Sequence, residues 1–317
     1  MCDGRERWSA VEPIGRPTTT TTLGGVARLV DLGVMSGAYV HGYRAVESER
    51  LRDQAGTLVD LLHSDTEYPA GATVLEAGCG VGAQTIPLAV RSPGARFTSI
   101  DVSESSLTEA RVRARAAGLS NVGFQQGDIF DLPFEPESFD HVFLCFVLEH
   151  LSRPVEALTA LRTLIKVGGT ITVIEGDHGS ALFHPDDPAA RAAIQCQVEL
   201  QARAGGDALV GRQVYPLMIR AGFESVRVSP RVVYVDASRR DLVDGFITKT
   251  FTAMIAGVRE AALTTGLADA SGFDAGIQAL HRTTEHDGVF TYTFFKGVGT
   301  REDATKVSAA RGAHVSQ

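Results

Sequence analysis

Three glycines alternate in the segment VLEAGCGVGAQT, at Gly78, Gly80 and Gly82. They follow an apolar stretch that carries Glu76 near its end, and an apolar, helix-compatible stretch comes after them. A glycine-rich turn between a strand and a helix lets the backbone approach a bound ligand closely. The segment therefore predicts a binding site for an adenine-containing cofactor, either NAD or S-adenosylmethionine.

Acidic residues near this turn distinguish the two cofactors. The turn satisfies G-x-G-x-x-[GA] with Ala83 at its end, and Asp101 lies about 20 residues further on, so the spacing alone fits a nicotinamide site. However, Glu76 and the Asp128 of the segment GDI would repel a pyrophosphate, whereas the ammonium and sulfonium of S-adenosylmethionine favour a negative neighbourhood. Charge therefore favours the methyl donor.

The segment EGDHGSALFHPDDP holds the candidates for proton transfer, which are Glu175, Asp177 and His178. All three follow a predicted strand, and His178 has the side chain best matched to neutral pH as a general base. His178 and His184 have no regular metal-ligand spacing, and the DDP tripeptide is typical of a helix start. The segment therefore predicts a catalytic base and no metal site.

An alternation of strands and helices positions these residues. The strand patterns are ATVLEAG, ARFTSID, NVGFQQGD, FDHVFLCFV and GTITVIEG, and helical patterns such as Ser103 to Ala117 and Pro154 to Ile165 separate them. Alternation of this kind predicts an α/β fold with a parallel, doubly wound sheet whose ligands lie beyond the carboxyl ends of the strands. The glycine turn, Asp101 and Asp128 all fall at such ends.

The chain is predicted to form one catalytic domain over residues 36–299. A flexible N-terminal arm, residues 1–35, contains the low-complexity stretch RPTTTTTLGG, and residues 300–317 form a flexible tail. An amphipathic helix is predicted over Tyr39 to His63. This helix carries Tyr43 and is predicted to close over the cofactor.

Two segments, near 180–212 and 237–285, interrupt the alternation and are predicted to form a lid over an acceptor. The second contains a helical pattern from Asp241 to Leu267. Its apolar residues at near-helical spacing are Phe246, Phe251, Met254 and Ile255. These side chains fit either a plain core or an apolar wall for a hydrophobic or aromatic acceptor.

Composition excludes several classes of protein. A net charge of −8 disfavours holding a nucleic-acid backbone by charge, so a small-molecule partner is favoured over nucleic acid. The four cysteines form no C-x-x-C pair, so the sequence indicates neither a zinc knuckle nor a disulfide framework. Apolar runs are too short for the roughly 20 residues that span a bilayer. We therefore expect a soluble, cytoplasmic protein without a membrane partner. The sequence is compatible with a homo-oligomer.

Five motifs occur in a fixed order over about Val74 to Glu175: E-x-G-C-G-x-G, SID, GDIFDLPF, FDHVFLCFVLEHL and the strand GTITVIE. Together they resemble class I S-adenosylmethionine-dependent methyltransferases of the ubiquinone/menaquinone-type small-molecule group, with a likeness to natural-product tailoring enzymes. The resemblance implies a Rossmann-like, seven-stranded sheet. A final antiparallel pair, ESVRVSPRVVYVD and GVFTYTFFKGVG, would complete it.

The resemblance also implies roles for the residues at these positions. The glycines would let the backbone approach the methionine part of the cofactor, and Asp101 would accept hydrogen bonds from both ribose hydroxyls. Asp128 and Ile129 would hold the adenine, and Phe146 would border the sulfonium. The remaining residues of the predicted cofactor-binding set are Tyr43, Glu76 and Val102.

The acceptor is less closely defined. Likeness to tailoring methyltransferases of secondary metabolism predicts an aromatic or indole-type acceptor that is methylated on carbon, with His178 or Glu175 removing the indole N–H proton. Oxygen and nitrogen acceptors stay open. So do an NAD-dependent dehydrogenase and a non-catalytic relative that only binds the cofactor.

Overall fold

The computed structural model describes residues 56–303. Its strands are β1 (Thr73–Ala77), β2 (Arg96–Asp101), β3 (Val122–Gln126), β4 (Phe139–Cys145), β5 (Ile165–His184), β6 (Glu224–Asp236) and β7 (Val289–Thr300). Its α-helices are α1 (residues 56–63), α2 (Thr85–Arg91), α3 (Glu104–Ala116), α4 (Pro154–Leu164), α5 (Pro188–Arg203), α6 (Val214–Arg220), α7 (Arg240–Leu242), α8 (Ala253–Gly257), α9 (Arg259–Thr264) and α10 (Ala270–Arg282). Two 3₁₀ helices (Leu148–His150 and Val210–Gln213) and a π-helix (Val243–Thr252) complete the described elements.

All seven described strands form one sheet in the order β3-β2-β1-β4-β5-β7-β6. The first five pair in parallel, and β7 runs antiparallel to both β5 and β6. This arrangement confirms the predicted α/β fold and its final antiparallel pair. The strand order reverses between β1 and β4, which is where open α/β sheets bind their ligands.

Both faces of the central strands are covered, which explains their nearly continuous apolar sequences. In β1, Val74 packs on one side of the sheet with Leu58 and Leu62 of α1, while Leu75 packs on the other side with Leu158 of α4. Alternate residues of a strand point to opposite faces, so neighbouring positions in one strand join different cores.

Local capping signals set several helix starts. The Ser103 side chain accepts a hydrogen bond from the Ser106 amide and begins α3, as the sequence pattern predicts. Asp187 caps α5 through the Ala189 amide, with Pro188 in its first turn, so the DDP tripeptide is a helix start as predicted.

The two predicted lid segments hold the helices that lie outside the strand–helix alternation. The first contains α5 and the second contains α7 to α10 together with the π-helix. The predicted helical stretch from Asp241 to Leu267 is helical over most of its length, but it divides into a π-helix and short α-helices. Gly257 ends α8, and Val258 after it has non-helical angles, consistent with the low helix propensity of glycine.

The predicted domain boundaries are only partly covered by the described residues. Residues 1–35 and 304–317 lie outside them, and only residues 56–63 of the predicted N-terminal helix are described, in helical form. Strand β7 continues to Thr300, and the Arg301 backbone amide donates to the Gly169 carbonyl. Within residues 56–303, no helix is long and apolar enough to cross a membrane.

Candidate active site

The glycine turn lies at the carboxyl end of β1, as predicted. Gly78 has φ +77°, and a Cβ placed there would lie 2.5 Å from a methyl carbon of Val147. Gly80 also has a left-handed φ of +51°, but a Cβ at that position would meet nothing within 4 Å. Gly78 is therefore fixed by packing as well as by conformation, whereas the backbone at Gly80 borders open space that a ligand can approach.

Glu76 is buried behind this turn. Its Oε2 accepts hydrogen bonds from the hydroxyls of Thr85 and Ser99, both at 2.6 Å. Burial raises the pKa of the Glu76 carboxyl to about 7, although both hydrogen bonds oppose the shift. Glu76 therefore links β1 to β2 and to the first residue of α2. Because it is buried, it would act on a ligand by fixing the conformation of the glycine turn.

Asp101 ends β2 next to the same turn. One carboxylate oxygen accepts the Gly80 amide at 2.8 Å, and the other accepts the Ser103 amide at 2.9 Å. Each oxygen keeps acceptor capacity for a further hydrogen bond. The neighbouring Val102 side chain is 56% exposed although it is apolar. This pairing of a carboxylate with an uncovered apolar surface fits a ribose and its attached base.

The segment after β3 carries the second predicted acid. Asp128 is exposed, and its Oδ1 accepts the Phe130 amide at 2.9 Å, which closes a tight turn. Ile129 is buried, at 8% exposure. Asp128 thus keeps a carboxylate oxygen at the surface, beside an apolar residue that anchors the loop.

Phe146 directly follows β4 and has φ +59°, a left-handed conformation that is uncommon for a large side chain. Its amide donates to the Ile174 carbonyl at 2.9 Å, and its ring lies 5.4 Å from that of Phe294. We call residues 146–151 the post-β4 turn. Backbone strain of this kind tends to occur at functional sites, where the surrounding structure maintains it.

The predicted trio of proton-transfer candidates is divided between the two faces of β5. Glu175 and Asp177 project to one face and Gly176 and His178 to the other, because side chains alternate along a strand. Both oxygens of Asp177 accept from the Arg212 guanidinium at 2.7 Å, and its Oδ1 also accepts the Gly179 amide. The Asp177 carboxylate is therefore committed to a bidentate ion pair.

His178 lies beside a tyrosine that sequence reasoning missed. The Tyr292 hydroxyl is 3.0 Å from His178 Nδ1, and Met254 Sδ is 3.3 Å from Nε2. A Cβ at Gly176 would lie 2.4 Å from the Tyr292 oxygen, so only glycine leaves room for this phenol. Burial raises the pKa of Tyr292 well above its usual value and keeps it protonated.

His178 and Tyr292 adjoin a group of aromatic rings that we call the lid aromatic cluster. Its members are Phe246, Phe251, Phe290, Tyr292 and Phe294. The π-helix places Phe246 and Phe251, five residues apart, with ring centroids separated by 6.4 Å. The four phenylalanines are almost fully buried, so the core interpretation applies to them, whereas Met254 at the edge is only partly buried.

Tyr43 lies outside the described residues. Within residues 56–303, no group of three His, Cys, Asp or Glu side chains is arranged to hold a metal ion. For Tyr292 the sequence carries only one faint signal, Gly176, which lies two residues before the candidate base His178. The ion-pair partner Arg212 carries none, because long-range folding alone brings it to Asp177.

Comparison with known proteins identifies the class. A family model described as a methyltransferase domain matches residues 69–222. A 37.1 kDa protein of transposon Tn4556 from Streptomyces fradiae, described as uncharacterized, is 30% identical over 80% of this chain and 73% of its own length. The chain belongs to the S-adenosylmethionine-dependent methyltransferases, and S-adenosylmethionine is its cofactor. The resemblance noted in the sequence is thereby confirmed, and the dehydrogenase alternative is set aside.

Relatives with named functions match only part of this chain. The ubiquinone/menaquinone biosynthesis C-methyltransferase UbiE of Paracoccus denitrificans is 34% identical over 33% of this chain and 42% of its own length. The methyltransferase GfsG of Streptomyces halstedii is 29% identical over 39% of this chain and 45% of its own. The chain thus spans less than half the length of these two relatives.

The fold is also similar to that of a solved methyltransferase structure. The phosphoethanolamine N-methyltransferase 2 of Haemonchus contortus, in complex with phosphomonomethylethanolamine and S-adenosylhomocysteine, aligns with a TM-score of 0.50 at 15% identity. The alignment covers 79% of this chain and 53% of that one.

Proposed function

We propose that this protein methylates a small aromatic molecule of secondary metabolism, on a ring carbon of an indole-type acceptor. The observation that carries the proposal is the placement of His178 next to the lid aromatic cluster, in the part of β5 that extends past its pairing with β4. The rings of the cluster are packed against one another, so in this proposal a flat, apolar acceptor that must lose a proton would meet His178 at the edge of the cluster, beside the partly buried Met254.

The donor side of the site fits S-adenosylmethionine. In this proposal the backbone at Gly78, Gly80 and Gly82 contacts the methionine part, and Asp101 binds the ribose hydroxyls. Val102, Asp128 and Ile129 hold the adenine. Phe146 borders the sulfonium, and Glu76 shapes the turn. The left-handed glycines and the acceptor capacity left on Asp101 support these roles.

When bound, S-adenosylmethionine would supply an electrophilic methyl group, and S-adenosylhomocysteine would be the product. The contribution of this chain is to place the acceptor and to receive its proton. In one tautomer, His178 Nδ1–H donates to the Tyr292 oxygen and leaves the Nε2 lone pair facing Met254. A substrate N–H that displaces the weakly bonding thioether would then donate to Nε2.

The named relatives are consistent with carbon as the methylated atom, because UbiE is described as a C-methyltransferase. UbiE nevertheless matches only 33% of this chain, so the acceptor is proposed here from the local chemistry around His178. We also propose that the protein acts in the cytoplasm, without nucleic-acid or membrane partners.

The first experiment is a calorimetric titration with S-adenosylhomocysteine, with reduced NAD as a parallel control. Binding of the first compound alone is expected. Methyl-labelled S-adenosylmethionine is then supplied with a panel of indoles, phenols and aromatic amines. Label on an indole ring carbon supports the proposal, whereas label only on oxygen or nitrogen would overturn the assignment to carbon.

A second experiment tests the base. We expect His178→Gln to lower kcat by about 100-fold, a typical contribution of general base catalysis, without changing the Kd of S-adenosylhomocysteine. His281→Gln, a matched change at an exposed position on α10, serves as the control and keeps wild-type kcat. An unchanged rate in His178→Gln would exclude this residue as the base.

A further inference from the structure

Glu175 is fully buried in β5, one residue past the part of the strand that pairs with β4, and its two carboxyl oxygens have different surroundings. Oε1 accepts the amides of Val147 at 3.0 Å and Leu148 at 2.8 Å. Oε2 is also buried and has no hydrogen-bond partner. One oxygen of this buried carboxyl group accepts two hydrogen bonds and the other accepts none. A buried polar atom without a partner destabilises the folded protein, so its presence calls for an explanation.

The amides that Glu175 binds belong to the post-β4 turn, which is held from two other directions as well. The Glu149 carbonyl accepts the backbone amide of Asp207 at 2.8 Å and the side-chain amide of Gln201 at 2.9 Å. The turn begins with the left-handed Phe146. These contacts together fix a conformation that the sequence FVLEHL would not maintain alone.

The post-β4 turn also contacts the glycine turn directly. The Val147 side chain occupies the space into which a Cβ at Gly78 would project. Any shift of Val147 therefore moves one wall of the glycine turn, and Phe146 moves with it. This contact connects the Glu175 carboxyl to the donor site through a single residue.

We infer that Glu175 is a positioning residue for the methyl donor: its carboxyl oxygen holds the post-β4 turn against the glycine turn and so sets the shape of the donor site. This inference rests on the donor half of the proposed function and is independent of the acceptor. It replaces the predicted role of Glu175 as a base.

Three observations disfavour the role as a base. Glu175 projects from β5 to the face opposite His178. Its Oε1 already accepts two backbone amides. Burial, with the negative charge of Glu149 as a second cause, raises the pKa of the Glu175 carboxyl to about 8, so the group is mostly a neutral acid at pH 7. A neutral carboxyl still accepts the two amides through its carbonyl oxygen, and so does a glutamine amide.

The test compares Glu175→Gln, which keeps that oxygen, with Glu175→Leu, which removes it at similar volume. The readout is the Kd of S-adenosylhomocysteine. Glu175→Gln is expected to bind within about threefold of wild type, and Glu175→Leu at least about tenfold more weakly, the loss expected when two buried amides are left without a partner. The kcat of Glu175→Gln should also stay within about threefold, because the turn is preserved.

Each other result contradicts the inference. Wild-type affinity in a folded Glu175→Leu would show that the turn needs no carboxyl, and a large loss of kcat in Glu175→Gln at unchanged Kd would restore the base. If Glu175→Leu fails to fold by circular dichroism, Glu175→Asp takes its place, because the shorter side chain withdraws its oxygen from the turn. Wild-type affinity in Glu175→Asp would likewise overturn the inference. Failure of the wild-type protein to bind S-adenosylhomocysteine would instead refute the donor assignment itself.

Discussion

The proposed donor and acceptor halves of the site depend on different structural features. The donor half consists of the loops after β1 to β4 and depends on backbone conformation, glycines and the carboxyl groups of Glu76, Asp101 and Asp128. The proposed acceptor half lies where β5 runs beside the start of β7, and it depends on large buried side chains from these two strands and the π-helix. The donor half should therefore tolerate little change in its backbone, whereas the acceptor half can change by side-chain replacement.

The largest effect is expected from Gly78→Ala. Its methyl group would collide with Val147 in a left-handed backbone, and these two costs add to about 4 kcal/mol of unfolding free energy. Gly71→Ala is the matched control. Gly71 also has a positive φ, but a Cβ placed there would meet nothing within 4 Å, so this variant should lose only about 1 kcal/mol. Urea denaturation measures both variants. Equal losses would show that the contact with Val147 is unimportant.

The buried Glu76 should give stability a characteristic dependence on pH. Its pKa of about 7 in the folded state exceeds the ordinary value of 4.5, so the folded protein holds a proton that the unfolded chain has lost. Stability from this group is full below about pH 4.5 and falls by about 3 kcal/mol as pH rises through 7. Glu76→Gln should flatten the profile in urea denaturation between pH 5 and 8. A profile of unchanged slope would mean that Glu76 is already ionised at low pH.

Asp101→Ala should weaken S-adenosylhomocysteine binding by about 30-fold, because a carboxylate that accepts from ribose hydroxyls contributes roughly 2 kcal/mol. Asp128→Ala, at the exposed loop, is expected to cost about threefold, because water competes for the same carboxylate. Calorimetry of both variants ranks the two acids. The reverse order would place the greater share of recognition at the adenine.

An effect smaller than that of Asp101→Ala is expected in the proposed acceptor half, from Tyr292→Phe. Removing one hydroxyl takes away a hydrogen bond to His178, which should lower kcat by about tenfold at constant S-adenosylhomocysteine affinity. The pH profile of kcat/KM should move at the same time, because the imidazole loses the partner that fixes its tautomer. A tenfold loss of cofactor affinity would contradict the separation of the two halves.

Sequence reasoning recovered the two halves unequally, for a physical reason. The glycine turn, Asp101 and the caps at Ser103 and Asp187 are local features, in which a few neighbouring residues determine the backbone. The pairing of His178 with Tyr292, by contrast, depends on the register between β5 and β7.

The π-helix escaped prediction for a related reason. The hydroxyls of Thr248 and Thr250 bond to carbonyls five residues earlier, and this spacing is only visible in the folded chain. The helical pattern around Phe246 and Phe251 correctly indicated an apolar helix but gave the wrong period.

The strand order also has a consequence for synthesis on the ribosome. Strand β7 lies between β5 and β6, although β6 precedes it in the chain, and β6 pairs within the described sheet only with β7. While the chain emerges, β1 to β5 can assemble a nearly complete donor half, but the free edge of β5 stays uncovered until residues 289–300 have been made. An exposed strand edge invites pairing with other chains. Nascent forms of this protein that end before β7 are therefore the ones most in need of a chaperone.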